Sequence, residues 1–255
     1  MSTVITLDIG NTRTHLARME GDRVAISTAV PTADVIHNPA VLDAWAGLHD
    51  ADGFAFCSVV PDATAALRPW LDARNRPVFH LTANCCPGLP IHYPKPQEIG
   101  QDRLANALGA SQRYGSPAVV IDMGTAVTFD IVSRSGGYEG GIIAPGLEVM
   151  TRYLHEQTAL LPELDASQLV VSEIIGKSTR SAMSTGCAIG FTGMIRALLE
   201  EVKTALAAID ATSPNVVITG GSAGTLPKQW LSEIHYDPDL TLHGLRIGFE
   251  RWSEK

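Results

Sequence analysis

A chain of 255 residues with 27 Asp and Glu against 19 Lys and Arg, a formal charge of −8, has room for two domains at about 100–200 residues each and offers no basic run to a nucleic-acid backbone or an anionic membrane. No apolar stretch approaches the roughly 18 residues that span a bilayer, and Asp8 interrupts the apolar N-terminal run a signal peptide would need, so the chain reads as cytoplasmic. Its cysteines, Cys57, Cys85, Cys86 and Cys187, include no C-x-x-C pair and its histidines no H-E-x-x-H, which leaves a structural zinc site without a motif and the thiols reduced.

In chain order, residues 4–8 form a short apolar run closed by Asp8, residues 14–19 alternate, Gly21-Asp22 is a turn, and residues 23–30 complete three strands. Helical patterns follow at about 40–48, 62–75 and 102–114, with residues 89–96, rich in proline, as an extended connector. The series then starts again: a strand at 118–122 closed by Asp122, another at 127–133, a turn at Ser135-Gly136-Gly137 and a strand at 138–144. Helices follow at about 148–158, 179–184, 193–209 and 222–230. The third carries Met194, Ile195, Leu198, Leu199, Val202, Leu206 and Ile209 on a 3.6-residue stripe. Before the last, N-V-V-I-T-G-G-S at 215–222 is a buried strand running into Gly220-Gly221. The reading is two α/β domains of the same topology, residues 1–116 and 117–255, each opening on a strand that ends in D-x-G.

A strand ending in D-x-G before Asn-Thr or Thr-Ala puts backbone N–H groups and small polar donors into a hairpin turn, where glycine lets a phosphate approach the main chain. One such turn is commonplace, but two in matching context point to a grip on a phosphate chain from two domains. The aspartates repel phosphate and so need a cation between: Mg²⁺, which prefers oxygen and keeps its waters, suits Asp8, and a second cation suits Asp122. Gly220-Gly221 would let a flat ring lie against the backbone, with a helix N-terminus beyond favouring negative charge. Asp102 stands where an amphipathic helix begins (Leu104, Ala105, Leu108), so the helix dipole is expected to keep it ionised; the alternative role is to satisfy orphan N–H groups. The G-K-S-T at 176–179 ends like a P-loop, yet Val171 stands where that loop needs glycine, and the stretch reads as a helix start capped by Ser178 or Thr179. Cys85-Cys86, adjacent before Pro87, reads as packing.

Together the segments D-I-G-N-T at 8–12, G-Q-D-R at 100–103, D-M-G-T-A-V-T-F-D at 122–130, G-G-I-I-A-P-G at 140–146, I-G-K-S-T at 175–179, T-G-G at 219–221 and L-T-L-H-G-L-R at 240–246 resemble the type III pantothenate kinases of the acetate and sugar kinase/Hsp70/actin superfamily. The resemblance implies two ribonuclease H-like, actin-like ATPase domains with an interdomain cleft. It also implies a homodimeric enzyme that phosphorylates pantothenate with ATP, opening coenzyme A synthesis, and needs Mg²⁺ and a monovalent cation such as K⁺ or NH₄⁺.

Carried onto this sequence, the resemblance gives ATP binding to the turn of Asp8, Ile9, Gly10, Asn11, Thr12, Arg13, Thr14 and His15, to Thr125, and to Gly220 and Gly221. Mg²⁺ would sit at Asp8 through water and the monovalent cation at Asp122. Pantothenate would lie among Tyr93, Gly100, Gln101, Asp102, Arg103 and Thr179, with Asp102 as proton acceptor, a role that asks for placement more than base strength in a loose phosphoryl-transfer transition state. Gln101, where small residues are common in the family, and Pro94-Lys95-Pro96 depart from its pattern at this pocket. Two rival readings remain: a non-catalytic nucleotide-binding regulator, for which an intact Asp102 has no use, and a superfamily kinase acting on another small alcohol or carboxylate, which the short chain disfavours.

Overall fold

The computed structural model describes residues 2–209, 212–226, 230 and 234–254. Strands β1 (Thr3–Ile9), β2 (Arg13–Glu20), β3 (Arg23–Pro31), β4 (Gly53–Ser58) and β5 (Val78–His80) make one sheet in the order β3-β2-β1-β4-β5. Strands β6 (Ala118–Met123), β7 (Ala126–Val132), β8 (Tyr138–Pro145), β9 (Asn215–Thr219) and β10 (His235–Tyr236) make the other, in the order β10-β9-β6-β7-β8. In each sheet the opening strand is central, antiparallel to its successor and parallel to the strand that returns after the helices: β1 between β2 and β4, β6 between β7 and β9. The repeat seen in the sequence is therefore a repeat of topology.

The sequence did not signal β4 and β5. All six residues of β4, G-F-A-F-C-S, are buried, as a central strand covered on both faces must be, and no alternation survives such burial. β5 has only three residues, too few to carry a period. Among the helices, α2 (Pro61–Asp72), α3 (Gln101–Arg113) and α4 (Leu147–Glu156) stand where expected. A six-residue α1 (Thr32–His37) follows β3, and residues 40–48 form two 3₁₀ turns, Pro39–Ala44 and Ala46–Leu48, parted by an extended Trp45 (φ −81°, ψ 120°). Of the helix expected at 222–230, the described residues show a 3₁₀ turn, Ala223–Thr225; residues 227–229 lie outside the described ones.

Helix α5 (Thr179–Ile209) is one 31-residue element where two were expected. Each interior glycine costs about 1 kcal/mol of helix propensity, but Cys187, Phe191, Ile195, Leu199, Val202 and Leu206 pack on Val119, Ile121, Met123, Val127 and Phe129 of the sheet, and that burial carries the helix through. Ile209, at the end of the predicted stripe, is exposed. α5 also corrects the membrane reading: with a mean hydropathy of 1.3 over its 18-residue window it is long and apolar enough, by length and composition, to cross a bilayer. Its apolar face belongs instead to the core just described.

The chain divides into two compact units: Met1–Gly115 with Ser135–Gly140 and Asp239–Lys255, and Ser116–Arg134 with Gly141–Pro238. The chain first passes from one unit to the other between Gly115 and Ser116. The last helix, α6 (Leu240–Ser253), which was not expected, belongs to the first unit because it packs on α3, β1 and β4. It reads poorly as an amphipathic helix because nearly every residue from Leu240 to Phe249 is buried. The two helices approach closely where both carry glycine: a Cβ on Gly109 would stand 2.7 Å from Leu240 O, and one on Gly244 would overlap the Ala105 carbonyl. A buried Thr241 hydroxyl donates to Asn106 Oδ1 at 2.7 Å across the contact. Asp22 accepts from Arg113 of α3 (2.7 Å) and Arg246 of α6 (3.0 Å), fastening the β2–β3 turn to both.

Candidate active site

In the first unit β1 ends at Ile9 and the chain reverses through residues 10–12, with the Gly10 N–H donating to Arg13 O at 3.0 Å. Ile9 and Thr14, paired across the ladder, are fully buried, so neither presents a side chain to a phosphate, contrary to their expected place in the ATP-binding turn. Beneath the turn lies Thr32, a buried residue at the start of α1 that sequence reasoning missed. Its N–H donates to Thr12 O at 3.0 Å and its hydroxyl to Gly10 O at 2.7 Å, so the Thr14 hydroxyl must be the donor in the 3.1 Å contact between the two threonines. The one signal available was a hydroxyl residue directly after a strand-ending proline. Asn11, Thr12, Arg13 and His15 are exposed, and Arg13 Nη2 donates to Ala29 O at 2.9 Å. The result is a rigid turn offering main-chain N–H groups and small polar side chains outward, the kind of concavity that receives phosphate oxygens.

Asp8 faces His15 across β2 and Cys57 across β4. The buried Cys57 thiol donates to Asp8 Oδ1 at 3.4 Å. Burial foremost, then the charges of Asp8 and Asp102, push that thiol's pKa well up, so it stays a neutral donor. The charges of Asp8, through the β1–β4 pairing, and of Asp102, at the start of α3, thus both bear on one thiol, and Asp8 touches it.

At that start, Asp102 Oδ1 accepts the Arg103 N–H at 2.8 Å, the helix-start role foreseen as its alternative. The carboxylate lies back over Gly100, where a Cβ would stand 2.5 Å from Oδ1. The glycine of G-Q-D-R therefore makes room for the acid of the same motif. Burial raises the Asp102 pKa, opposed by the N–H and the guanidinium of Arg103. The helix dipole was expected to help keep this group ionised; loss of water at its half-buried position moves the pKa in the opposite direction. The outcome is a more basic carboxylate, which favours proton acceptance near neutral pH. Gln101, expected at the substrate pocket, sends its carboxamide oxygen the other way, to Ser58 N and His80 Nε2, both at 2.8 Å. Half-buried Tyr93 packs over Gly140, whose φ of +127° and missing Cβ leave the ring its place, and meets Tyr138 edge-on at 6.4 Å.

The second unit repeats the device. The Gly124 N–H donates to Ala126 O at 3.1 Å, leaving Thr125 exposed at the tip. Gly146 braces this hairpin by donating to Thr125 O at 3.1 Å, and any Cβ there would strike the Gly124 and Thr125 carbonyls. Asp122 neighbours Thr219 on β9. Its carboxylate lies against Gly220, which has φ +91°; a Cβ there would stand 2.6 Å from both Asp122 Oδ1 and Met123 N. Gly220 is thus demanded by Asp122, whereas at Gly221 a Cβ would meet nothing within 4 Å. Ser178 caps α5 by accepting the Ser181 N–H at 3.1 Å, while Ser181 Oγ accepts the Ser178 N–H at 3.3 Å, so G-K-S-T is a helix start and Thr179 stands exposed on it. Among the described residues no three His, Cys, Asp or Glu cluster into a metal cage. Lone carboxylates such as Asp8 and Asp122 fit ions that take most of their oxygens from water and phosphate.

The sequence model for type III pantothenate kinases matches residues 4–201. The chain belongs to the type III pantothenate kinase family. Among its relatives are the type III pantothenate kinases of Akkermansia muciniphila, 39% identical over 96% of this chain and 97% of that one, and of Methylacidiphilum infernorum, 38% identical over 96% and 87%. In fold it is similar to a Campylobacter jejuni protein assigned to the Baf family of transcriptional activators (TM-score 0.62, 18% identity, 98% of this chain and 100% of that one). It is also similar to MreB 5 of Spiroplasma citri bound to AMPPNP (TM-score 0.54, 11% identity, 100% and 98%). At those identities the likeness speaks for the actin-like ATPase fold alone.

Proposed function

We propose that the chain transfers the γ-phosphoryl group of ATP to the primary hydroxyl of pantothenate, giving 4′-phosphopantothenate and ADP, the entry to coenzyme A biosynthesis. The observation that carries this is the pairing, in one unit and around one buried thiol, of the Asp8 hairpin with a carboxyl made more basic by burial at Asp102. Gly10, Asn11 and Thr12 offer the donors for ATP phosphates, with His15 and Arg13 at the margin, and Thr125, Gly220 and Gly221 are the further positions proposed for ATP. Asp8 would hold Mg²⁺, which when bound would supply charge neutralisation at the phosphates. Asp122, beside its obligatory glycine, is the site for a monovalent cation.

Pantothenate is oriented by Tyr93, Gly100, Arg103 and Thr179, with Arg103 toward its carboxylate. As the bond from its hydroxyl oxygen to phosphorus forms and the bond to the β-phosphate oxygen breaks, the hydroxyl proton passes to the Asp102 carboxylate. The working form is a homodimer in the cytoplasm. Supporting the first is a face of α5 where Gly186, Gly190 and Gly193 each have open space at the Cβ position and Ile189 is 46% exposed; supporting the second, the cysteines are free thiols.

Mixing the protein with ATP, Mg²⁺, K⁺ and pantothenate should release ADP in proportion to pantothenate consumed. Nucleotide binding without pantothenate-dependent ADP would instead establish a regulator, and ADP release with another small alcohol or carboxylate would establish a different kinase. Exchanging K⁺ for Na⁺ should depress turnover; equal rates in both salts would remove the cation from Asp122.

A further inference from the structure

Gln101 begins α3 immediately before Asp102, and its side chain ties that helix start to the strand beside β1. The Ser58 N–H can only donate, so the atom it meets at 2.8 Å is the Gln101 oxygen, which fixes the orientation of the amide. The same oxygen lies 2.8 Å from His80 Nε2, which must therefore carry the proton. His80 is itself held flat on Phe56, with centroids 4.1 Å apart and planes 13° from parallel, at the end of β5 where Phe56 and His80 are register partners. Ser58, the register partner of Ile9 on β1, is locked in turn: its hydroxyl accepts the Val60 N–H at 3.1 Å.

From this geometry we infer that His80, acting through Gln101 and Ser58, is a positioning residue for the transfer step: the three form a bracket that fixes the Asp102 carboxylate relative to the Asp8 hairpin. The reasoning is geometric. Asp102 follows Gln101 directly, so any pivot of the first turn of α3 about its end moves the carboxylate, and a misplacement of about 1 Å can cost on the order of 10²-fold in rate. A glutamine oxygen that accepts two donors at once resists such a pivot better than a small residue could. It also gives Gln101 a function that does not involve touching substrate.

The inference rests on the kinase reading above, so its test has one arm that needs no catalysis. In the ligand-free protein, amide hydrogen exchange at Ser58 should accelerate at least tenfold in Gln101→Met, which fills the same space without an acceptor, and stay near wild type in Gln101→Glu, which keeps one. Unchanged Ser58 exchange in Gln101→Met would dismiss the bracket whatever the enzyme does. In the pantothenate-dependent assay, Gln101→Met and His80→Phe, which keeps the stack on Phe56, should each lower kcat about tenfold with the KM for pantothenate within about twofold. The double variant should be no worse than Gln101→Met alone, as expected for residues acting as one unit. A raised KM with unchanged kcat would make Gln101 a substrate contact and overturn the positioning role; additive losses would break the link to His80. Should wild type show no pantothenate-dependent turnover, the functional reading fails while the exchange result stands.

Discussion

Asp102→Asn should lower kcat by about 10²–10⁴-fold, the usual worth of general acid–base catalysis, while folding stability at neutral pH is kept or improved. The two halves of that expectation share one cause. Burial raises the folded-state pKa of Asp102 above its unfolded value. A carboxyl shifted that way favours the fold while protonated, below the unfolded pKa, and loses that contribution as pH rises through the folded value. At neutral pH the ionised group is therefore a cost carried for function, and the neutral amide removes it. The wild-type kcat–pH profile should fall on its acid side at a pH above that of an ordinary aspartate, and the fall should vanish from the residual activity of the variant. Wild-type turnover in Asp102→Asn, measured by ADP release beside a thermal melt, would strip Asp102 of the proton.

Gly220→Ala is the second large expectation. The left-handed φ of +91° at Gly220 costs a non-glycine residue about 1–2 kcal/mol, which for a chain of this size corresponds to roughly 2–8 °C in Tm. The new methyl would also stand 2.6 Å from Asp122 Oδ1 and from the rigid Met123 N. The carboxylate can swing aside; the backbone cannot. Activation by K⁺ should therefore weaken by at least about tenfold in half-saturating concentration, beyond what the lower Tm explains. Gly221→Ala, with open space at its Cβ, should fold normally, so any loss of ATP affinity there would report contact with the nucleotide itself. Unaltered K⁺ dependence in Gly220→Ala would separate Asp122 from the cation.

What the sequence showed and what it hid have the same physical root. The duplicated hairpins were legible because a tight reversal after a strand constrains residue type locally: Asp8 and Gly10, Asp122 and Gly124 repeat within a few positions. Asp102 was legible as a helix-start acid, but the direction of its pKa shift was not, because desolvation depends on residues distant in sequence. Thr32, Ser58 and His80 were invisible for the same reason: each acts through a partner at least 18 residues away, Thr14, Gln101 and Gln101 again. β4 and α6 escaped notice because burial on all sides erases the periodicities by which strands and helices are read. The two helices expected at 179–184 and 193–209 are one, because packing against the sheet offsets the propensity cost of the glycines between and within them.

The placement of α6 bears on the order of synthesis. Its residues, 240–253, leave the ribosome after everything that builds the second unit, yet they complete the core on which α3 and β1 rest. The nascent chain can thus finish its later half first, and the Asp8 turn and the Asp102 carboxylate gain their final support only when the last helix docks. A fragment ending before residue 240 therefore lacks the helix on which α3, β1 and β4 pack, and should not hold the first unit's native core.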